Sequence, residues 1–210
     1  MTVAAPEFFE PNEGRRRLLA GAACALCGGW LPGGRARAQA TAQPMDPRLA
    51  ELLKDKRTLW LRRGKEEIRA TYWTAARGRN QDEYLQLCWI LRDLQADRVF
   101  AMNRSLLDTL AGMQAWLRHS GVDTPIEVHS GYRTSRTNRA TEGAALSSRH
   151  VVGQAADISV GGISSVKLAG LSSVLGRGGT GFYVGRGFVH VDTGHERIWI
   201  DQKPKAPATG

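Results

Sequence analysis

Two short stretches of this chain hold residues that could bind a metal ion and hydrolyse a bond. The first reads Ser148-Arg149-His150-Val151-Val152-Gly153-Gln154-Ala155-Ala156-Asp157 and sets a His and an Asp seven positions apart, with a Gly and two Ala between them. The second is Phe188-Val189-His190-Val191-Asp192, where polar and apolar side chains alternate. On a strand, that alternation sends His190 and Asp192 to one face and Val189 and Val191 to the core. Gly153 lets the chain turn between His150 and the strand that presents Asp157. Two His and one Asp make three ligands with a fourth position open, the layout of a catalytic zinc. A lone His is more often a surface group or a hydrogen-bonded core residue. The joint pattern, Ser-x-His-x-x-Gly-x-Ala-x-Asp followed by His-x-Asp on a strand, has few structural reasons to exist.

Those two motifs follow Ser130-Gly131-Tyr132-Arg133 and Asn138, and the second runs on to Gly194. Together they resemble the zinc peptidases of the M15 group, in the branch typified by murein endopeptidase K. The resemblance covers Thr58 to Trp199. It implies that His150, Asp157 and His190 bind Zn²⁺, that Arg133 sits over the substrate and that Ser148 lies close to it. Zinc lowers the pKa of its bound water towards neutrality and polarises a scissile carbonyl. A guanidinium held by a Ser-Gly-Tyr-Arg turn can stabilise an oxyanion or clamp a carboxylate through a two-pronged contact. The bland alternative for Arg133 is a loop residue paired with a nearby acid.

Several members of the wider group carry a Glu three residues before the second His, where this chain has Gly187. Asp192 then becomes the candidate general base, because it shares a strand face with His190. Its rival role is to orient a metal-bound His, as carboxylates around zinc commonly do. His129 and Glu142 are weaker candidates for the base, and His119 and His195 read as structural or exposed.

The activity implied is a zinc-dependent peptidoglycan endopeptidase that cuts peptide cross-links between stem peptides in the periplasm. The nearest alternatives are a D,D- or L,D-carboxypeptidase on the same peptides and a non-catalytic, zinc-containing wall-binding module. The chain has no long insertion that would close a groove, which favours the endopeptidase. A structural zinc usually takes four protein ligands, and three are visible here.

The elements that must position these residues fit one domain with an arm. The 210 residues are 42% hydrophobic and 23% charged, which excludes collagen-like, coiled-coil and wholly disordered chains. The net charge of +9 suggests an anionic partner, but the arginines are scattered and no nucleic-acid module is recognisable, so nucleic acid is excluded.

Residues 1–40 read as a cleaved export signal. Arg15-Arg16-Arg17 precede an apolar stretch from Leu18 to Leu31, and Ala36-Arg37-Ala38 and Ala38-Gln39-Ala40 offer small-residue cleavage sites. The paired arginines resemble the twin-arginine signal read by that export machinery. Gly28-Gly29, Pro32 and Gly33-Gly34 argue against a stable helix, and the stretch is short for a bilayer span. No membrane span is expected after cleavage. Removal would also take Cys24 and Cys27, leaving Cys88 with no partner for a disulfide.

Residues 41–57 read as a flexible arm, 58–200 as the zinc peptidase domain and 201–210 as a disordered tail. Within the domain, Thr58–Leu61 and Ile68–Tyr72 suggest a hairpin. Leu85, Cys88, Trp89 and Leu91 mark a helix within 82–95. A second helix over 103–119 has Asn103 as N-cap and Leu106, Leu107, Leu110, Met113 and Leu117 on its apolar face, ending at Gly121. A strand at Ile126–Val128, irregular chain over 131–149, a strand at Ala155–Val160, a helix near 164–175 and strands at 181–184 and 187–192 complete the pattern. The expected class is α+β, a mostly antiparallel sheet flanked by helices with the zinc site on the sheet. The resemblance implies the D-Ala-D-Ala metallopeptidase (hedgehog-like) version of that fold.

Overall fold

A computed structural model describes residues 47–176 and 178–202. The expected export signal at 1–40 lies outside the described residues, as does the tail beyond Gln202. The hairpin forms as expected from β1 (Lys56–Arg63) and β2 (Glu66–Thr74), with Leu59 opposite Ala70 and Leu61 opposite Ile68. The two-residue β3 (Gly78–Arg79) extends it.

Three further strands carry or support the motifs: β4 (Ile126–Ser130), β5 (Ala155–Val160) and β7 (Phe188–Asp192). With β6 (Gly179–Tyr183) and β8 (Arg197–Asp201) they complete an eight-stranded sheet in the order β3-β2-β1-β4-β5-β7-β6-β8. All pairs are antiparallel except β1 with β4 and β6 with β8. The fold is therefore the expected α+β domain with a mostly antiparallel sheet.

Helices cover one face of that sheet. Ile126, Val128, Ala156, Ile158, Val160, Val189 and Val191 join a single core with Leu106, Leu107, Leu110 and Met113 of α3 (Arg104–His119) and Leu168 and Leu175 of α5 (Ser165–Leu175). Asn103 caps α3 as expected, its side chain accepting from the amides of Ser105 and Leu106 at 2.9 and 3.4 Å. Strand alternation leaves Asp157, His190 and Asp192 on the opposite face. The site is thus built on the side of the sheet away from the main helices.

Four readings need correction. The segment 41–57, expected as a loose arm, is described from Pro47, where α1 (Pro47–Leu52) buries Leu49 and the following Leu53 in the core. Two prolines and several polar residues masked a pair of leucines that the core takes up. In α2 (Gln81–Ile90) the buried side is Tyr84, Leu87, Cys88 and Ile90, whereas Leu85 and Trp89 stay 38% and 41% exposed. Tyr84 turns inward because its hydroxyl donates to the Met102 carbonyl at 2.8 Å, and Trp89 lies under the Arg92 guanidinium at 4.2 Å. The stretch 131–149 holds a short helix, α4 (Ser135–Ala140), capped by Thr134. Finally, β8 was missing from the expected strands, and it matters for the site. Among the described residues, no helix is long and apolar enough to cross a membrane.

Candidate metal centre and its cleft

Neighbouring strands bring two of the three expected ligands together directly. Asp157 on β5 stands opposite His190 on β7 in the antiparallel register, so both side chains leave the sheet on the same face. The third, His150, sits on a 3-10 turn (Arg149–Val152) that feeds into β5. The Ser148 hydroxyl caps that turn, accepting from the His150 amide at 3.3 Å. Gly153 ends it at φ 64°, a left-handed conformation, and a Cβ there would press to 2.8 Å from the Phe100 ring.

The donor atoms converge. His190 Nδ1 is 2.8 Å from Asp157 Oδ1, His150 Nε2 is 3.3 Å from the same oxygen, and the two ring nitrogens are 3.2 Å apart. All three residues are buried, and their ligand atoms lie within 4.8 Å of one another. Each imidazole is held by its other nitrogen. His150 Nδ1 lies 2.6 Å from the Gly131 carbonyl oxygen, which only an N–H can satisfy, so in the neutral ring Nε2 keeps its lone pair. His190 Nε2 lies 3.1 Å from Asp192 Oδ2, and donation there leaves the Nδ1 lone pair facing Asp157 and His150. Two imidazoles with inward lone pairs and outward donors, plus one carboxylate, form a set that fits a divalent metal.

Charge follows the same plan. Burial alone would raise the Asp157 carboxyl, but its interactions with His150 and His190 outweigh it and hold it below the usual carboxylate range. Burial would lower His190, yet its bonds to Asp157 and Asp192 leave its pKa raised. Burial opposes ionisation of Asp192 too, and His190, Arg197 and the amides of Gly194 and Gly179 overcome it.

Asp192 has no exposed side-chain surface. It accepts from the Gly194 amide at 2.7 Å, the Gly179 amide at 3.1 Å and Arg197 Nη2 at 2.6 Å, besides its contact with His190. Arg197 and its strand β8 were not anticipated from sequence. Arg133 meets the bland expectation in part: Nη2 donates to Asp157 Oδ2 at 2.5 Å and Nε to Ser130 Oγ at 2.7 Å. It also lines the cleft together with His150, Asp157 and His190. Next to it, the Thr134 amide donates to Asp93 at 2.8 Å, which fixes the turn.

The cleft has a volume of about 810 Å³, within the usual range for ligand sites. His150, Asp157 and His190 lie in it with Tyr183, Phe188 and Trp199, and the 141–148 loop, including Glu142 and Ser148, forms one side. His195 is exposed but lines the cleft. His129 is bonded to Ser159 at 2.7 Å and tilts against Phe188, and His119 lines a different cavity between α1, α3 and α5. Gly187 ends a 3-10 turn at φ 70°, so the position where the wider group places a Glu is here a backbone turn that a larger side chain would strain.

A mostly antiparallel sheet with helices on one face and a His-Asp-His cluster on the other, at an open cleft, is the arrangement expected of a metallopeptidase of the M15 type. The family described as Peptidoglycan L,D-endopeptidase MepK matches residues 51–199, and the chain belongs to that family. It is 35% identical to the Peptidoglycan L,D-endopeptidase MepK of Escherichia coli (strain K12) over 91% of this chain and 98% of that relative, and the same figures hold for its Shigella flexneri counterpart. A "Probable peptidoglycan L,D-endopeptidase MepK" from Haemophilus influenzae is 31% identical over 60% of this chain and 69% of its own length.

Proposed function

We propose that this chain is an exported, zinc-dependent murein endopeptidase that hydrolyses L,D-type peptide cross-links between peptidoglycan stem peptides. One observation carries the reading: three ligand atoms converge at an open cleft, and each imidazole is oriented through its second nitrogen. His150 Nε2, Asp157 Oδ1 and His190 Nδ1 would hold the ion. When bound, zinc supplies an acidified water and a Lewis acid for the scissile carbonyl.

The chain's own groups supply the rest. Asp192 holds the His190 ring, and its oxygens are already committed to Arg197 and two amides, which suits orientation better than proton uptake. Arg133 steadies Asp157 through Nη2, and its Nη1 remains for a substrate oxygen. Ser148 holds the His150 turn at the cleft wall, where a bound peptide would pass it. Glu142 on the cleft loop has no partner among the described residues, which makes it the better candidate for proton transfer.

The names of the relatives support the L,D bond. The paired arginines at 15–17, the apolar stretch and the small-residue exits support export through the twin-arginine route. The test is digestion of purified peptidoglycan by the mature protein, with products identified by mass. Conversion of cross-linked dimers into monomers supports the proposal. Loss of a single terminal residue would indicate a carboxypeptidase, and binding without products a wall-binding module.

A further inference from the structure

Four arginines line the cleft, and three of them face an aspartate. Arg133 pairs with Asp157 at 2.5 Å, Arg197 with Asp192 at 2.6 Å and Arg186 with Asp201 at 2.7 Å. Arg149 is the exception. Among the described residues its side chain makes one hydrogen bond, from Nη1 to the neutral Oε1 of Gln154 at 2.9 Å, and no ion pair. Arg149 is therefore the one cleft arginine with no ion pair among the described residues, half-buried and adjacent in sequence to His150.

Its placement is organised. The Gln154 amide holds one end of the guanidinium, and Gly194 opens room on the other side. A Cβ at Gly194 would lie 3.2 Å from Arg149 Nε and 3.1 Å from Arg197 Nη1, so the bare backbone lets two guanidinium groups approach the same spot. Arg197 is satisfied there by Asp192. On Arg149 the Nε–Nη2 edge carries no partner, and that edge matches both oxygens of a carboxylate. A solvated surface arginine would need neither the amide brace nor the cleared space.

We infer that Arg149 anchors a free carboxylate carried by the substrate beside the scissile bond, so that the enzyme selects peptides by that charge. The inference rests on the hydrolase reading of the same cleft and adds its selectivity. A substrate carboxylate would complete the fourth arginine–carboxylate pair, and an amidated residue would leave Arg149 facing a neutral group.

The experiment measures binding, not turnover. Two synthetic stem peptides containing diaminopimelate and no cross-link, one with its carboxylates free and one with them amidated, are titrated calorimetrically into the zinc-loaded protein. The wild type is expected to bind the free form roughly tenfold or more tightly, in keeping with a charge-assisted pair. Arg149→Gln should bring the ratio close to one, and Arg149→Lys should keep part of it, since an ammonium retains charge without the fork. Zinc content and circular dichroism report whether each variant is folded. Equal affinity of the wild type for both peptides, no binding of either, or an undiminished preference in a folded Arg149→Gln would overturn the inference. Failure to digest peptidoglycan alongside an intact, Arg149-dependent preference would count against the hydrolase reading and leave the carboxylate site standing.

Discussion

The Asp192 carboxylate holds His190 from behind: Oδ2 lies 3.1 Å from Nε2, while Nδ1 of the same ring faces Asp157 at 2.8 Å. A strand places residues two apart on one face, so the pair is a direct product of β7. What turns that proximity into a fixed orientation is Arg197 on β8 and the amides of Gly179 and Gly194, which occupy the remaining carboxylate lone pairs.

Asp192→Asn tests orientation against proton transfer. The amide keeps the shape but weakens the hold on His190 and loses the charge that Arg197 pairs with. Zinc affinity should fall by roughly ten- to a hundredfold, with turnover restored by excess zinc. Competition with a chromophoric chelator measures the affinity. Unchanged affinity with collapsed turnover would instead make Asp192 the base.

Arg133→Ala removes one partner of Asp157 and one donor facing the cleft. Turnover should drop by about two to three orders of magnitude, the usual cost of a lost transition-state donor, while the fold is kept. Steady-state kinetics with parallel metal analysis separates this from simple loss of the ion.

Asp93 offers a pH test away from the ligands. Burial would raise its carboxyl, but hydrogen bonds from Thr137, Thr134 and Ala96 prevail and depress it. A depressed acid contributes stability that is present above its unfolded pKa near 3.8 and is lost as pH falls through the lower folded value. Asp93→Asn should therefore cost about 1.5–3 kcal/mol at neutral pH, the range for hydrogen bonds to a charged group. The gap from wild type should shrink once pH drops below that of the unfolded acid. Urea unfolding at neutral pH and in acid reads both.

Replacing Arg15, Arg16 and Arg17 together by Lys should leave unprocessed precursor in the cytoplasm, because the paired guanidinium groups rather than charge alone carry a twin-arginine address. Fractionation and immunoblotting give the answer. Normal processing would assign export to the general secretory route.

The convergence of His150, Asp157 and His190 was legible in the sequence because alternation on β7 and the His-to-Asp spacing both depend on local geometry. The network behind them was not. Arg197 reaches Asp192 only because β8 pairs in parallel with β6, a long-range choice that no short motif records. Alternation in Arg197-Ile198-Trp199-Ile200 would even mislead, since it favours the isoleucines as the core face. Ile198 and Ile200 are 68% and 61% exposed, on an edge strand beyond the helix α5 that packs on β6 and β7. Arg149 occupies an unspecified position of its motif, and only its lack of an ion pair among the described residues sets it apart from the other cleft arginines. Gly187 could be seen as a departure from the wider group, but its left-handed backbone, the physical reason for it, required the structure.

The most direct test of the account is zinc titration of metal-stripped protein, followed by hydrolysis of a purified cross-linked muropeptide dimer. Activity should be absent in the stripped protein, rise in proportion to added zinc and level off at about one equivalent, as a single three-ligand site requires. His150→Ala should show no such titration at matched zinc. Full activity in metal-stripped protein, or in His150→Ala, would contradict the account.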